Sequence, residues 1–199
     1  MKTILLLLLS FISFAVSAQF TKGDKFLGGS LNISSQNGAS YNPITNNRFS
    51  VGPQAGYFLT EKYALVAKLN YTGAFYETTG SKVISTSFSI TPAVRRYFQI
   101  SDKFFFNLDA YVGFSRQTDK LTNSFSNLTT QNPYYYLSAG IEPGFIFFPA
   151  PNWGFNASLG GLNYSHYQNL STASTSNSIG LTWSSSLTFG VSYYFVTKK

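Results

Sequence analysis

Ile179–Gly180–Leu181–Thr182–Trp183–Ser184–Ser185–Ser186–Leu187–Thr188–Phe189–Gly190–Val191–Ser192–Tyr193–Tyr194–Phe195 alternates in hydropathy along its whole length. Odd positions are apolar or aromatic, with Ser185 the one interruption. Even positions are Gly, Ser and Thr up to Ser192, then Tyr194. A period of two over this length predicts one long β-strand with an apolar face and a polar face. The polar face carries no charge. A soluble sheet normally places Lys and Glu on its wet side, whereas a membrane barrel turns an uncharged polar face to a narrow lumen and its apolar face to lipid.

Working outward, the chain begins with a leader-like segment. Lys2 supplies a positive start, Ile4 to Val16 an apolar stretch, and Val16-Ser17-Ala18 a small-residue cleavage site before Gln19. Residues 1–18 therefore read as a signal peptide and 19–199 as one outer-membrane barrel domain. The apolar stretch is short for a spanning helix, which takes ~20 apolar residues. No Cys is present, which removes lipid anchoring through a thiol, disulfides and thiol chemistry. No later segment reaches helix-spanning length, so a membrane-embedded chain must close its backbone hydrogen bonds as a barrel. Aromatic residues are 18% and charged residues 11%, a balance suited to a lipid-facing surface. The formal charge of +7 does not mark a nucleic-acid binder, because no basic run is interleaved with aromatics.

Eight strands are predicted, at 25–35, 47–58, 63–76, 84–98, 104–115, 134–148, 153–164 and 179–196. The expected fold is an all-β, eight-stranded antiparallel transmembrane up-and-down barrel. Short connections (59–62, 99–103, 149–152) alternate with longer ones rich in Asn, Ser, Thr and Gly (36–46, 77–83, 116–133, 165–178). That asymmetry predicts periplasmic turns, four extracellular loops and both mature termini in the periplasm. Aromatic pairs precede each short turn: Tyr57-Phe58, Tyr97-Phe98 and Phe147-Phe148. Tyr63, Phe104 and Trp153 follow. Together they predict an interfacial girdle. A second belt is expected from Tyr71, Phe75, Phe114, Tyr135, Tyr164 and Trp183. Pro53, Pro92 and Pro143 fall inside three strands on the lipid-facing phase, where bulges or bends are expected. Gly160-Gly161 marks another bulge or close backbone contact. The competing architecture is a soluble meander of hairpins, whose faces would both be poorly hydrated.

The leader, the eight strands, Pro53 to Phe58 before Glu61-Lys62, and the ending Phe189 to Phe195 resemble the small outer-membrane β-barrel proteins called porin-family proteins of Bacteroidota-type envelopes. These are similar in architecture to barrels of the OmpX and OmpA type. The resemblance implies location in the outer membrane of a Gram-negative bacterium. It implies insertion by the barrel-assembly machinery, with Phe195 as the assembly-signal aromatic, although Val196 to Lys199 follow it. It implies outer-membrane lipid and lipopolysaccharide as surroundings. The expected state is a monomer.

Alternation assigns each in-strand charge to a face. Lys68, Arg95, Asp109 and Glu142 fall inward on adjacent strands and at similar distances from the aromatics of the short turns. They should pair in the lumen, helped by Gln54, Asn107 and Asn156, because an unpaired charge there is costly. The cluster reads either as a static polar plug or as a gate. Chemistry is weakly supported. The lone histidine, His166, has no acid beside it, so no catalytic residues are assigned. There is no metal or cofactor set. The loops, notably 41–47 and 124–136, suit an extracellular ligand. The functional expectation is a non-enzymatic scaffold that serves surface interaction or envelope integrity. A narrow pore for water, ions or very small solutes is the alternative, and a lipid A-modifying enzyme comes after it.

Overall fold

The structure, a computed structural model, describes residues 20–38, 44–78, 80–123 and 128–196, the side chains of 36–38, 44 and 182–188 excepted. The expected leader, its cleavage site, the side chain of Trp183 and the last three residues lie outside that description. Eight strands follow one another: β1 (Lys25–Gly38), β2 (Ile44–Phe58), β3 (Tyr63–Glu77), β4 (Ser81–Ser101), β5 (Phe104–Asn123), β6 (Thr129–Ala150), β7 (Trp153–Asn169) and β8 (Thr175–Phe195). Each pairs antiparallel with its sequence neighbours, and β8 returns to β1 to close the barrel. The closing ladder is brief: it joins Lys25–Ser30 to Gly190–Phe195. Its two outermost rungs pair Lys25 with Phe195 and Ser30 with Gly190.

The strand count and the alternating faces agree with the sequence reading, but the strands run further than expected at one end. β5 continues to Asn123, β6 starts at Thr129, β7 ends at Asn169 and β8 starts at Thr175. The connections at this far end shrink to 39–43, 78–80, 124–128 and 170–174. The polar stretches expected to form four long loops are mostly paired strand. Some of their Ser and Thr hydroxyls bond across the ladder. The Thr122 and Thr129 hydroxyls lie 3.2 Å apart, and those of Ser165 and Ser178 2.8 Å apart. A barrel strand needs only about 9–11 residues to cross the bilayer. β5 has 20 and β6 has 22, so a polar crown of strand stands beyond the apolar band.

The three in-strand prolines do not behave alike. Pro53 keeps its partner Gly29 on β1, while the β2–β3 ladder is broken between Val51–Tyr71 and Gln54–Lys68 without a change of register. Pro92 likewise keeps Ala67 on β3 and interrupts the β4–β5 ladder without a shift. Only Pro143 sits at a register shift, between Ile141–Leu162 and Gly144–Ser158. A missing N–H costs one ladder bond, and register survives if the next pair re-forms. The bulge opposite Pro143 contains Gly160 at φ +90°, a left-handed conformation that suits glycine. A Cβ on neighbouring Gly161 would collide with the Ile141 carbonyl oxygen. β8 is irregular at the same place, since Ser158 pairs with Thr188 but Gly160 pairs with Trp183. The inward phase of β7 therefore changes from even to odd positions across the bulge.

The outward surface carries exposed Leu65, Leu69, Phe88, Ile90, Val112, Leu137 and Ile141 between two aromatic levels. Tyr57, Tyr63, Phe147 and Trp153 stand exposed at the turn end. Tyr71, Phe114 and Tyr164 stand exposed towards the far end. The turn-end pairs do not form a girdle with both members. Phe58, Tyr97 and Phe148 are buried inside, because adjacent residues of a strand must face opposite sides.

Candidate functional site

The inside of the barrel is built in layers. The lowest layer is an aromatic cork at the turn end, made of Phe26, Phe58, Tyr97, Phe105, Phe148 and Tyr194. Phe20 completes it from outside the strands. Its ring lies 4.3 Å from Phe58, 5.0 Å from Tyr97, 5.3 Å from Phe105, 5.8 Å from Phe148 and 5.5 Å from Tyr194, centroid to centroid. Contacts in this range are attractive for offset and tilted rings. The segment before β1 is tied down to hold Phe20 there. Gly23 N–H donates to the Phe58 carbonyl at 2.9 Å, Phe58 N–H donates to the Asp24 carbonyl at 2.9 Å, and Thr21 N–H donates to Asp24 Oδ2 at 2.7 Å. Gly56 makes room for the cork, since a Cβ there would meet the Phe26 ring. The sequence reading missed Phe20, because it precedes every alternating segment. Its signal was an aromatic isolated between the expected cleavage site and β1.

The charged layer rests on the cork. Arg95 and Asp109 face each other across the β4–β5 ladder, and Asp109 faces Glu142 across β5–β6. Arg95 donates from Nε to Asp109 Oδ1 at 2.7 Å and from Nη2 to Oδ2 at 2.9 Å, a bidentate pair. Lys68 reaches over from β3 and places Nζ 2.8 Å from Asp109 Oδ2 and 3.0 Å from Glu142 Oε2. The structure thus brings all four charges into one chain, Arg95–Asp109–Lys68–Glu142, with no net charge. Arg95 also stands over the Phe26 and Tyr97 rings of the cork, at 5.7 and 5.9 Å. Of the three amides expected to assist, only Asn107 touches the charges, donating to Asp109 Oδ1 at 3.2 Å. Gln54 and Asn156 instead donate to Ser192 Oγ at 3.1 and 2.8 Å. Gln54 stands directly opposite Lys68 across the β2–β3 ladder, but its amide, like that of Asn156 on β7, turns to β8.

The cluster has a dry half and a wet half. The side chains of Arg95 and Asp109 are 5% and 2% exposed, whereas those of Lys68 and Glu142 are 26% and 28% exposed. The wet half faces a chamber of about 340 Å³ that Gln54, Tyr111 and Asn156 also line. A second chamber of about 360 Å³ is lined by Thr72, Ser85, Ser87, Ser89, Ser115 and Ser138. Both touch Asn70 and Thr91. Higher up, Tyr134, Tyr136 and Tyr167 stack along one wall. Together they form a hydroxyl-rich well whose floor is the charge cluster.

The remaining sequence candidates are peripheral. Phe195 ends β8 half exposed, pairs with Lys25 and packs edge-on to Tyr193 at 5.0 Å. His166 points outward. Its Nδ1 shares Asn177 Oδ1 with the Tyr164 hydroxyl, each at 2.8 Å.

This architecture has known counterparts. The sequence profile of the outer membrane protein beta-barrel domain matches residues 4–195. The chain belongs to this family. No curated protein matches it in sequence. Among solved structures, the family fold is similar to Ail, the attachment invasion locus protein of Yersinia pestis, in complex with the heparin analogue sucrose octasulfate. The TM-score is 0.52 at 14% identity, covering 88% of this chain and 100% of that one. It is also similar to the translocator domain of the autotransporter NalP from Neisseria meningitidis. There the TM-score is 0.50 at 13% identity, covering 84% of this chain and 57% of that one. Neisserial surface protein A aligns over 86% of this chain and 97% of its own at 13% identity, with a TM-score of 0.47. The protein is an outer-membrane β-barrel.

Proposed function

We propose that this outer-membrane barrel is a non-enzymatic, non-conducting scaffold that serves surface interaction. In this reading both mature termini lie in the periplasm and the crown of extended strands faces outside. One observation carries the proposal: two seals stand in series across the lumen. The charge cluster closes the floor of the well, and the aromatic cork lies beneath it. Eight-stranded barrels have interiors just wide enough for side chains to fill. Here the turn-end half is filled and the far half is an open, blind cup.

The crown favours interaction as the role. Its strands hold Tyr, Ser, Thr and Asn on a hydrogen-bonded frame, which reduces the ordering cost of binding. Ail was crystallised with a sulfated heparin analogue. That makes sulfated glycans the first ligand class to test on the crown. Among the described residues His166 bonds to the Asn177 amide, which it shares with the Tyr164 phenol, and this supports the non-enzymatic reading.

The deciding experiment is single-channel recording of the refolded mature barrel, residues 19–199, in a planar bilayer. A silent, correctly folded barrel is the expected outcome. Discrete, reproducible openings in the unaltered protein would replace this proposal with the pore reading.

A further inference from the structure

Two further charges face the lumen at the far end. Arg48 falls on the same phase of β2 as buried Phe58, and Asp119 on the same phase of β5 as buried Asp109. Arg48 stands opposite Ser34 on β1 and Ala74 on β3, and it lines the hydroxyl-rich chamber of about 360 Å³. Among the described residues its guanidinium makes no hydrogen bond or ion pair.

The acids of this region leave that charge unanswered. Asp119 is reached along the ladder through Ala74 and Ser85, three strand spacings or about 14 Å of wall. Its Oδ1 already accepts hydrogen bonds from Ser85 and Gln117, at 2.6 and 2.9 Å. Glu77, further up β3, falls on the outward phase opposite Lys82. Lys68 and Arg95, by contrast, are both held by Asp109 in the floor of the well.

Two unlike walls flank Arg48's chamber. From β3 to β5 the wall is made of small hydroxyls, including Thr72, Ser85, Ser87, Ser89 and Ser115. The Ser87 and Ser115 hydroxyls lie 3.1 Å apart. An aromatic wall follows in the ladder. Tyr134 stands opposite Gln117, Tyr136 opposite Ser115, and Tyr167 opposite Tyr136. The Tyr167 ring lies 5.4 Å from Tyr134 and 5.1 Å from Tyr136. All three tyrosines are half-buried, so part of each remains open to the well.

This combination selects one kind of ligand. A guanidinium fork matches a carboxylate with two parallel hydrogen bonds. One fork balances one negative charge, which suits a carboxylate better than a doubly charged phosphate. Hydroxyl side chains donate and accept, as sugar hydroxyls do. The negative face of an aromatic ring attracts the C–H edge of a sugar ring. A chamber of about 360 Å³ is at the small end of ligand sites, which limits the occupant to about one ring. An apolar ligand would leave the hydroxyls unpaired.

We propose that the mouth of the well is a binding site for a carboxylated sugar. The carboxylate sits on Arg48, the sugar hydroxyls on Ser85, Ser87 and Ser115, and the ring face against Tyr136 and Tyr167. The site lies inside the barrel, apart from the outer surface of the crown. It rests on the reading under Proposed function only in that the well opens outward and is closed below.

The test titrates glucuronate into the isotope-labelled, refolded mature barrel in dodecylphosphocholine micelles, which carry no sugar. Binding is read from NMR chemical shifts, which should change at Arg48, Ser87, Ser115 and Tyr136 and saturate at millimolar sugar. Arg48→Gln should bind at least tenfold more weakly. Lys82→Gln, on the outward face of the same end, should stay within twofold of the unaltered protein. Glucose, which lacks the carboxylate, and acetate, which lacks the ring, should each bind at least tenfold more weakly than glucuronate. Unchanged affinity in Arg48→Gln overturns the site. So does glucose or acetate binding as tightly as glucuronate, or the absence of any shift at millimolar sugar. Equal affinity for the methyl glycoside of glucuronate would support the site and assign its ligand to the end of a glycan; a tenfold loss would support it and assign the free sugar. The dispersion of the amide spectrum verifies folding. If Arg48→Gln does not fold, Tyr136→Leu should still weaken binding severalfold, and an unchanged value would equally overturn the proposal. Sulfated-glycan binding to the Arg48→Gln variant judges the crown reading separately.

Discussion

At the scale of single residues, burial decides what each charge in the lumen is worth. Asp109 holds Arg95 with two hydrogen bonds and Lys68 with an ion pair, and its side chain is 2% exposed. Removing one partner of a buried pair costs about 3–5 kcal/mol, because the charge left behind stays desolvated. Asp109→Ala should lose that amount in urea unfolding of the micelle-refolded barrel. Glu142→Gln should lose about 1 kcal/mol or less, since both it and Lys68 are a quarter exposed to the well and water can replace the pair. Equal losses at the two positions would contradict the division into dry and wet halves. Phe20 offers a second contrast. Its ring is 3% exposed among five aromatic neighbours, although no strand carries it. Phe20→Ala should cost about 3 kcal/mol, the low end for deleting a buried aromatic, because a terminal segment can readjust. The same unfolding measurement checks it.

At the scale of elements, the bulge in β6–β8 sets the face of everything beyond it on β7. Gly160 lies at φ +90°, and a Cβ at Gly161 would strike the Ile141 carbonyl oxygen. The bulge lets Tyr167 point inward to stack on Tyr134 and Tyr136, while His166 points out. Slipping a strand by one residue exchanges its faces. Gly161→Val should therefore lower the yield of folded, heat-modifiable barrel on refolding, whereas Gly73→Val should be tolerated. A Cβ at Gly73 would be only in ordinary contact with Phe49, at 3.7 Å. Similar yields for the two would show that the close approach is not required. The mistaken expectation of long loops belongs to this scale too. Residues 116–123 and 129–133 are rich in Thr, Asn and Gln, and such composition reads as loop when taken alone. Once β5 and β6 are paired below, each added rung needs little further ordering, so the ladder continues to Thr122 and Thr129.

At the scale of the whole molecule, the two seals should act in series. Phe20→Ala removes part of the cork but leaves the Arg95–Asp109–Lys68 network in place. A neutral network variant, Lys68→Met/Arg95→Met/Asp109→Leu/Glu142→Leu, leaves the cork in place. Each should remain silent in a planar bilayer. Combining them should give measurable ion conductance, provided the barrel still shows heat-modifiable mobility. Conductance in either variant alone would mean that one layer does all the sealing. The same arrangement gives the molecule its polarity: a dense, filled turn end, and a far end where the strands outrun the membrane and enclose a solvated cup.

The sequence by itself determined the strand count, the alternation of faces along unbulged strands and the membership of the charge cluster. Each of these follows from a period of two repeated through the chain. Lys68, Arg95, Asp109 and Glu142 could be placed at one depth because each lies a countable number of residues from a turn aromatic. Tertiary structure alone decided which amide reached the charges. Gln54, Asn107 and Asn156 share the inward phase, but only Asn107, on the same strand as Asp109, bonds to it, while the other two turn to Ser192. It alone decided that Phe20 belongs to the core, because that contact joins a terminal segment to five strands with no local pattern to announce it. It also decided which of three similar prolines makes a bulge, since the answer depends on whether the facing strand can supply extra residues. Periodicity reports the face a residue takes; contacts across the barrel depend on strand register, which no single stretch of sequence contains.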